Sequence, residues 1–200
     1  PSELTPFSAV RLAQLAIEAG MPPGIFNIVQ GNGHVTGDAL TRHPGIGKVS
    51  FTGSTRTGAA IMKAAAESGI KPVTLELGGK SPQLVFADAE LDKAAGSIAG
   101  SILANSGQGC VAGSRVIVQA SVADALIDLL KARLARIVPG HTWKAATDFG
   151  PIISMAQARR IDGIVAAGRG RGGEVLLGGS LIEGHGGAYY QPTMMVNVTA

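Results

Sequence analysis

Apolar positions along this chain recur with two alternating periods. In AVRLAQLAIEA (9–19) they fall three and four apart, which predicts an amphipathic helix with Thr5 as N-cap, Pro6 at the first helical position and Gly20 closing it. IFNIVQ (25–30) reads as a strand, and the Gly-rich turn GNGHVTG (31–37) leads into a helix near 35–42. KVSFTG (48–53) predicts a second strand, STRTGAAIMKAAAESG (54–69) a helix capped by Ser54, and PVTLEL (72–77) a third strand. After GGKSP, QLVFA (83–87) predicts a strand, and Asp88 caps a helix reaching about Asn105. RVIVQ (115–119) is the next strand, and Ser121 caps the amphipathic helix 122–137. Beyond the polar loop HTWKAATDFGP (141–151), Ser154 opens a helix to about Gly168, and strands at 174–179 and 189–198 close the chain.

Strands separated by helices of about 10–15 residues predict βαβ units and a mainly parallel sheet, so the expected fold class is α/β. The Gly78-Gly79 pair, where a strand gives way to a Pro-containing turn, is the best domain boundary and divides the chain into 1–78 and 79–200.

Composition narrows the function. With 46% apolar and 16% charged residues in 200, the chain has material for a real core. Net charge is only +3, the basic residues are scattered, and five Phe, two Tyr and one Trp leave little to stack on bases, which argues against nucleic-acid binding. No apolar run approaches the ~18 residues of a membrane helix, and no basic-then-apolar leader stands at the start. A single cysteine excludes an internal disulfide and favours a reducing compartment, so the expected location is cytoplasmic. His34, His43, His141 and His185 lack ligand spacing, and no metal site is expected. The chain opens with PSELTPF and stops at MMVNVTA inside a strand pattern, so it is expected to be the middle of a longer protein.

Three segments carry candidate chemistry. In NSGQGCVAGSR (105–115) the sole cysteine, Cys110, stands among Gly107, Gly109 and Gly113. A free cysteine is often a small buried hydrophobe. The polar, unpatterned GQGC favours a nucleophile instead, with glycines clearing the approach of a carbonyl and letting the Cys110 N–H face an oxyanion. In VTLELGGKSP (73–82), Glu76 interrupts an apolar strand at its carboxyl end. There it is either an outward-facing strand residue or a partly desolvated general base with a raised pKa. In SFTGSTRTG (50–58), Gly53 and Ser54 precede a helix whose free N–H groups suit a phosphate. Gly31, Gly33 and Gly37 approximate a dinucleotide-binding fingerprint with the last spacing one residue too long, which nominates Gly33.

FTGST, LELGGKSP and GQGC-VAGSR, in that order and spacing, resemble the aldehyde dehydrogenase superfamily; PSE-TP, PPGIFNIVQGNG and GGAYYQPTMM extend the resemblance over essentially the whole chain. It implies a Rossmann-like parallel sheet of a cofactor domain (1–78) followed by an α/β catalytic domain carrying the thiol (79–200), both incomplete. It implies that Cys110 adds to an aldehyde as thiolate, giving a thiohemiacetal and then a thioester, with its backbone N–H as half of an oxyanion hole. Glu76 resembles the base that activates water against the thioester, a residue that coenzyme-A-dependent members generally lack. By the same resemblance Gly53 and Ser54 face the cofactor pyrophosphate, Thr57 and Gly58 the adenosine half, and the Leu77 backbone the nicotinamide amide. Glu3 resembles the acid that binds the adenosine ribose, which implies NAD rather than NADP because a carboxylate repels a 2′-phosphate. Gly109 and Val111 would flank the small-molecule aldehyde substrate, and such small residues are compatible with many aldehydes. The family's oxyanion-hole Asn, the Lys before Pro-Ser-Glu, the Glu-Glu-Ile-Phe-Gly-Pro segment and the oligomerisation strand fall outside these residues. The whole protein is expected to be a homodimer or homotetramer, with no nucleic-acid or membrane partner. Two rivals remain: a non-catalytic paralogue of the same fold, and a thiol acyltransferase or esterase without a dinucleotide.

Overall fold

In the computed structural model, which describes residues 1–198, the chain divides into two compact units, Pro1–Gly78 and Gly79–Ala200. Thr199 and Ala200, the end of the expected closing segment, lie outside the described residues.

The first unit is a βαβ crossover with helical additions. Helix α1 spans Phe7–Glu18, and a π-helical turn, Gly33–Gly37, runs into α2, Asp38–Arg42. Strand β1 (Val49–Gly53), helix α3 (Thr55–Glu67) and strand β2 (Val73–Leu77) follow. β1 and β2 pair in parallel from Val49↔Val73 to Gly53↔Leu77, so their carboxyl ends lie side by side. α3 begins where Ser54 accepts a hydrogen bond from the Thr57 N–H at 3.1 Å, the cap expected from its sequence. Ala64 and Ala65 are its buried residues near the C-terminal end. α2 is tied to the end of α3 by Lys71, whose Nζ donates to the Thr41 carbonyl at 2.8 Å, and by the Arg42–Glu67 ion pair at 3.1 Å.

Two expectations for this unit change. Ile25–Gln30 forms no strand, because an extended segment is a strand only with a ladder partner, and among the described residues it has none. At α1, Thr5 makes no side-chain cap; Pro6 already has helical angles, φ −81° and ψ −25°.

In the second unit, β3 (Pro82–Val85) and β4 (Arg115–Val118) pair in parallel across the helix α4 (Leu91–Leu103). α4 packs on α5 (Ala123–Leu134), and Val85, Ala95, Ile98, Ala99, Leu126 and Leu130 bury one another between them. A second cluster joins Ile152, Ala158, Ala188 and Tyr190 around α6 (Met155–Gly170), which Ser154 caps by accepting from the Gln157 N–H. The expected caps Asp88 and Ser121 are displaced: α4 starts after Glu90, and a 3-10 turn, Ala120–Val122, precedes α5.

The carboxyl-terminal strands depart from the parallel expectation. β5 (Glu174–Leu177) pairs antiparallel with β8 (Met194–Val196), and β6 (Leu181–Ile182) antiparallel with β7 (Tyr189–Tyr190). The single strand expected over 189–198 is therefore two short ones, and β6 is additional. The six residues between β6 and β7 cannot carry the crossover that parallel neighbours need, which is a dozen or more residues long, and the β6–β7 hairpin itself occupies the connection between β5 and β8.

Candidate active site

In the first unit the site begins with strand alternation. Leu75 and Leu77 turn toward α3, where a Cβ on the buried Gly58 would stand 3.0 Å from Leu77 Cδ2 and 3.3 Å from Leu75 Cδ1. Period two then puts Glu76 on the opposite face, where it is exposed and pairs with Thr52. That face is polar throughout, with Ser50↔Thr74 and Thr52↔Glu76 as its cross-strand neighbours. Gly53 and Leu77 are register partners at the shared carboxyl end, and Ser54 follows directly as the cap of α3. Ser54 Oγ and Thr57 Oγ1 lie 2.9 Å apart at that helix start.

A cleft of about 590 Å³ opens beside β1, within the size range of small-molecule sites. Glu3, Gly33 and Thr57 all line it, with Lys48, Phe51 and Ile61. Three of the expected cofactor residues, far apart in sequence, therefore share one concavity, while Gly53, Ser54 and Leu77 gather at the strand ends. Gly58 belongs to neither group: it is the contact that lets α3 lie close on β2.

In the second unit the thiol stands on a loop fixed from both sides. After α4, Asn105, Ser106 and Gly107 take φ of 50°, 55° and 73°, three consecutive left-handed residues. This conformation costs a residue with a Cβ about 1–2 kcal/mol, so it persists only where the surroundings impose it. Ser106 Oγ donates to the Gly150 carbonyl at 2.9 Å, and Gln108 Oε1 accepts from the Ile153 N–H at 2.9 Å. A turn follows in which the Ala112 N–H donates to the Gly109 carbonyl at 3.2 Å, with Cys110 and Val111 at its tip. Both are exposed, and among the described residues the Cys110 N–H has no acceptor. Beyond the turn, the Gly113 N–H donates to Ser101 Oγ at 2.9 Å and Gln83 Nε2 donates to the Gly113 carbonyl at 2.9 Å.

The glycines around the thiol thus have separate reasons. Gly107 is left-handed, and at Gly113 a Cβ would strike the Gln83 amide and lie 2.9 Å from Ser101 Oγ. At Gly109 a Cβ would meet only the Ala112 nitrogen, at 3.9 Å, so this is the glycine that leaves open space next to the sulfur. Arg115 Nε donates to the Lys80 carbonyl at 2.7 Å, holding the Gly79-Lys80 turn against this loop. Ser101, Ser106 and Gln108 were not singled out by motif reading; the Asn-Ser-Gly run, with Asn tolerant of left-handed angles, was the available signal.

Among the described residues, no three His, Cys, Asp or Glu side chains group as metal ligands, and no helix is long and apolar enough to cross a membrane.

Parallel βαβ geometry with a cap-led helix, joined in one chain to a thiol on a glycine-cleared turn, defines an α/β protein with a candidate cysteine nucleophile. The model of the aldehyde dehydrogenase family matches residues 1–200, and the chain belongs to that family. It is similar to the crystal structure of an NAD-dependent aldehyde dehydrogenase from Sinorhizobium meliloti, with 45% identity and a TM-score of 0.96, covering 100% of this chain and 39% of that one. Indole-3-acetaldehyde dehydrogenase complexed with NAD+ is 42% identical, with a TM-score of 0.97 over 100% of this chain and 41% of that one. An E. coli NADP-dependent enzyme is 40% identical, with a TM-score of 0.95 over 100% and 41%. The chain thus spans about two fifths of the length of these relatives.

Proposed function

We propose that the protein oxidises an aldehyde to a carboxylic acid with NAD, using residues 1–78 as part of its cofactor-binding domain and 79–200 as part of its catalytic domain. The observation that carries this reading is the presentation of Cys110: an exposed thiol at the tip of a tethered turn, beside an N–H with no acceptor among the described residues. A thiolate there adds to an aldehyde carbonyl, and the oxyanion formed accepts a hydrogen bond from the Cys110 N–H. The family's cofactor fits the first unit, whose cleft gathers Glu3, Gly33 and Thr57, while Gly53, Ser54 and Leu77 meet at the strand ends. When bound, NAD+ supplies the hydride acceptor by which the Cys110 thiohemiacetal becomes a thioester, so that aldehyde, water and NAD+ give carboxylate, NADH and two protons.

Glu76 takes a proton from the water that attacks the thioester, and cleavage of the carbon–sulfur bond returns the Cys110 thiolate. Glu76 stands exposed on the polar face of β1 and β2 and is not the partly desolvated carboxylate expected from its strand, so its role as base rests on the family resemblance. Glu3, on the cleft wall, supports NAD over NADP, because its carboxylate accepts from ribose hydroxyls and repels a 2′-phosphate. A cytoplasmic homodimer or homotetramer completes the proposal.

The full-length protein, mixed with NAD and a panel of aldehydes, is expected to produce NADH by absorbance, and Cys110→Ala is expected to abolish it. Absence of any Cys110-dependent reduction across the panel overturns this reading.

A further inference from the structure

The thiol loop lies between two separately packed parts of the second unit. Downstream of Cys110, Gly113 is bound to Ser101 on α4 and Gln83 on β3, both elements of the α4–α5 layer. Upstream, the loop is bound to residues 150–153, which belong to the other packed part. Ile152 is 4% exposed within the cluster around α6, and its N–H donates to the Ala188 carbonyl at 2.7 Å. Ser106 and Gln108 share the upstream attachment, Ser106 through Gly150. The Gln108 amide accepts from the Ile153 N–H at 2.9 Å, donates to the Asn105 carbonyl at 3.1 Å, and lies 3.5 Å from the Pro151 carbonyl. The first bond ties the loop to the segment just before α6, the second closes the left-handed turn 105–107 on itself, and the third is at the limit of a hydrogen bond.

We propose that Gln108 is the positioning residue of the nucleophile: its amide clamps the left-handed turn to residues 151–153 and so fixes the Cys110 sulfur and N–H relative to an incoming carbonyl. It acts through Cys110 and contacts no reacting atom. The inference rests on the proposed thiol chemistry, since the clamp has a catalytic consequence only if Cys110 is the nucleophile. A left-handed run containing two residues with Cβ atoms relaxes once its ties are cut, and small displacements of an attacking atom are costly in rate. A purely apolar side chain of similar length fills the same space and makes none of these bonds.

The test compares full-length protein with Gln108→Met, reading the pre-steady-state burst of NADH at saturating aldehyde and the hydrogen exchange of amides 105–114. The burst rate is expected to fall about tenfold, and loop exchange to quicken, while NAD affinity and Tm stay within error of the parent. Gln108→Glu, which keeps the acceptor for the Ile153 N–H, is expected to restore part of both. A parent-like burst rate or parent-like loop exchange in Gln108→Met overturns the clamp. Should that variant not fold, Gln108→Ala, which also removes the bond to the Ile153 N–H, decides on the same two readouts. If the unmodified protein shows no Cys110-dependent burst, the proposed function fails instead, and loop exchange still reports on the clamp separately.

Discussion

Gly58 separates packing from cofactor contact. The family resemblance assigns it to the adenosine half, whereas in the structure it is buried against β2. Its backbone is ordinary helix, with its N–H donating to the Ser54 carbonyl at 2.9 Å, so a side chain meets steric resistance but no conformational strain. Replacing glycine by alanine inside a helix gains about 1 kcal/mol of propensity. Against this, the new Cβ presses on Leu77 Cδ2 at 3.0 Å and Leu75 Cδ1 at 3.3 Å, both ends of flexible side chains able to give by a few tenths of an ångström. The terms are of similar size, so Gly58→Ala is expected to leave stability within about 1 kcal/mol of the parent. Valine adds two γ-carbons where the leucine methyls already lie, an overpacking of about 1–3 kcal/mol, only partly offset by propensity. Gly58→Val is therefore expected to lower Tm.

The assay is a thermal melt of the full-length variants together with calorimetric titration of NAD. Because the Cβ points to the leucines and away from the cleft, Gly58→Ala is expected to bind NAD within about threefold of the parent. A tenfold loss of affinity, about 1.4 kcal/mol, with Tm unchanged would refute this placement and return Gly58 to the cofactor.

Two further outcomes follow from other residues. Glu76→Gln is expected to keep the NADH burst and slow steady turnover at least tenfold, because the thioester forms but is not hydrolysed; unchanged steady turnover removes Glu76 from the mechanism. Tyr190 is buried, and burial, together with its hydrogen bond to Asp162 Oδ1 at 3.0 Å, pushes its pKa up to about 12. The folded state thus holds the neutral phenol longer than the unfolded chain does. Its contribution is complete below about pH 10 and is lost as pH rises toward 12. Tyr190→Phe is expected to be less stable than the parent at pH 8 by about 1.5–3 kcal/mol, in urea titrations, with the gap closing at higher pH; a gap independent of pH contradicts this account.

What the chain discloses and what it withholds divide along the range of the interactions. Ser54 and Ser154 were legible as caps because a cap is a bond between residues three apart, complete within the local sequence. β1, α3 and β2 were legible for the same reason, since their periods are intrinsic to their own residues. The segment 25–30 carries a strand pattern as good as its neighbours, yet a strand is a relation between two segments, and the partner decides it. The closing strands show the same limit: their alternation was visible, while direction and pairing depend on which segments the folded chain brings side by side.

The candidate site divides in the same way. Sequence alone singled out Cys110, Glu76 and the glycine turn before α3, because unusual residue types in a fixed order are a local property. Only the tertiary structure gathered Glu3, Gly33 and Thr57 along one cleft, turned Gly58 onto β2, and assigned Gln108 its bonds to residues more than forty positions away. Those placements depend on which surfaces meet: the left-handed turn at Asn105 and Ser106 is tied to Gly150 and Ile153, residues that only the folded chain brings beside it.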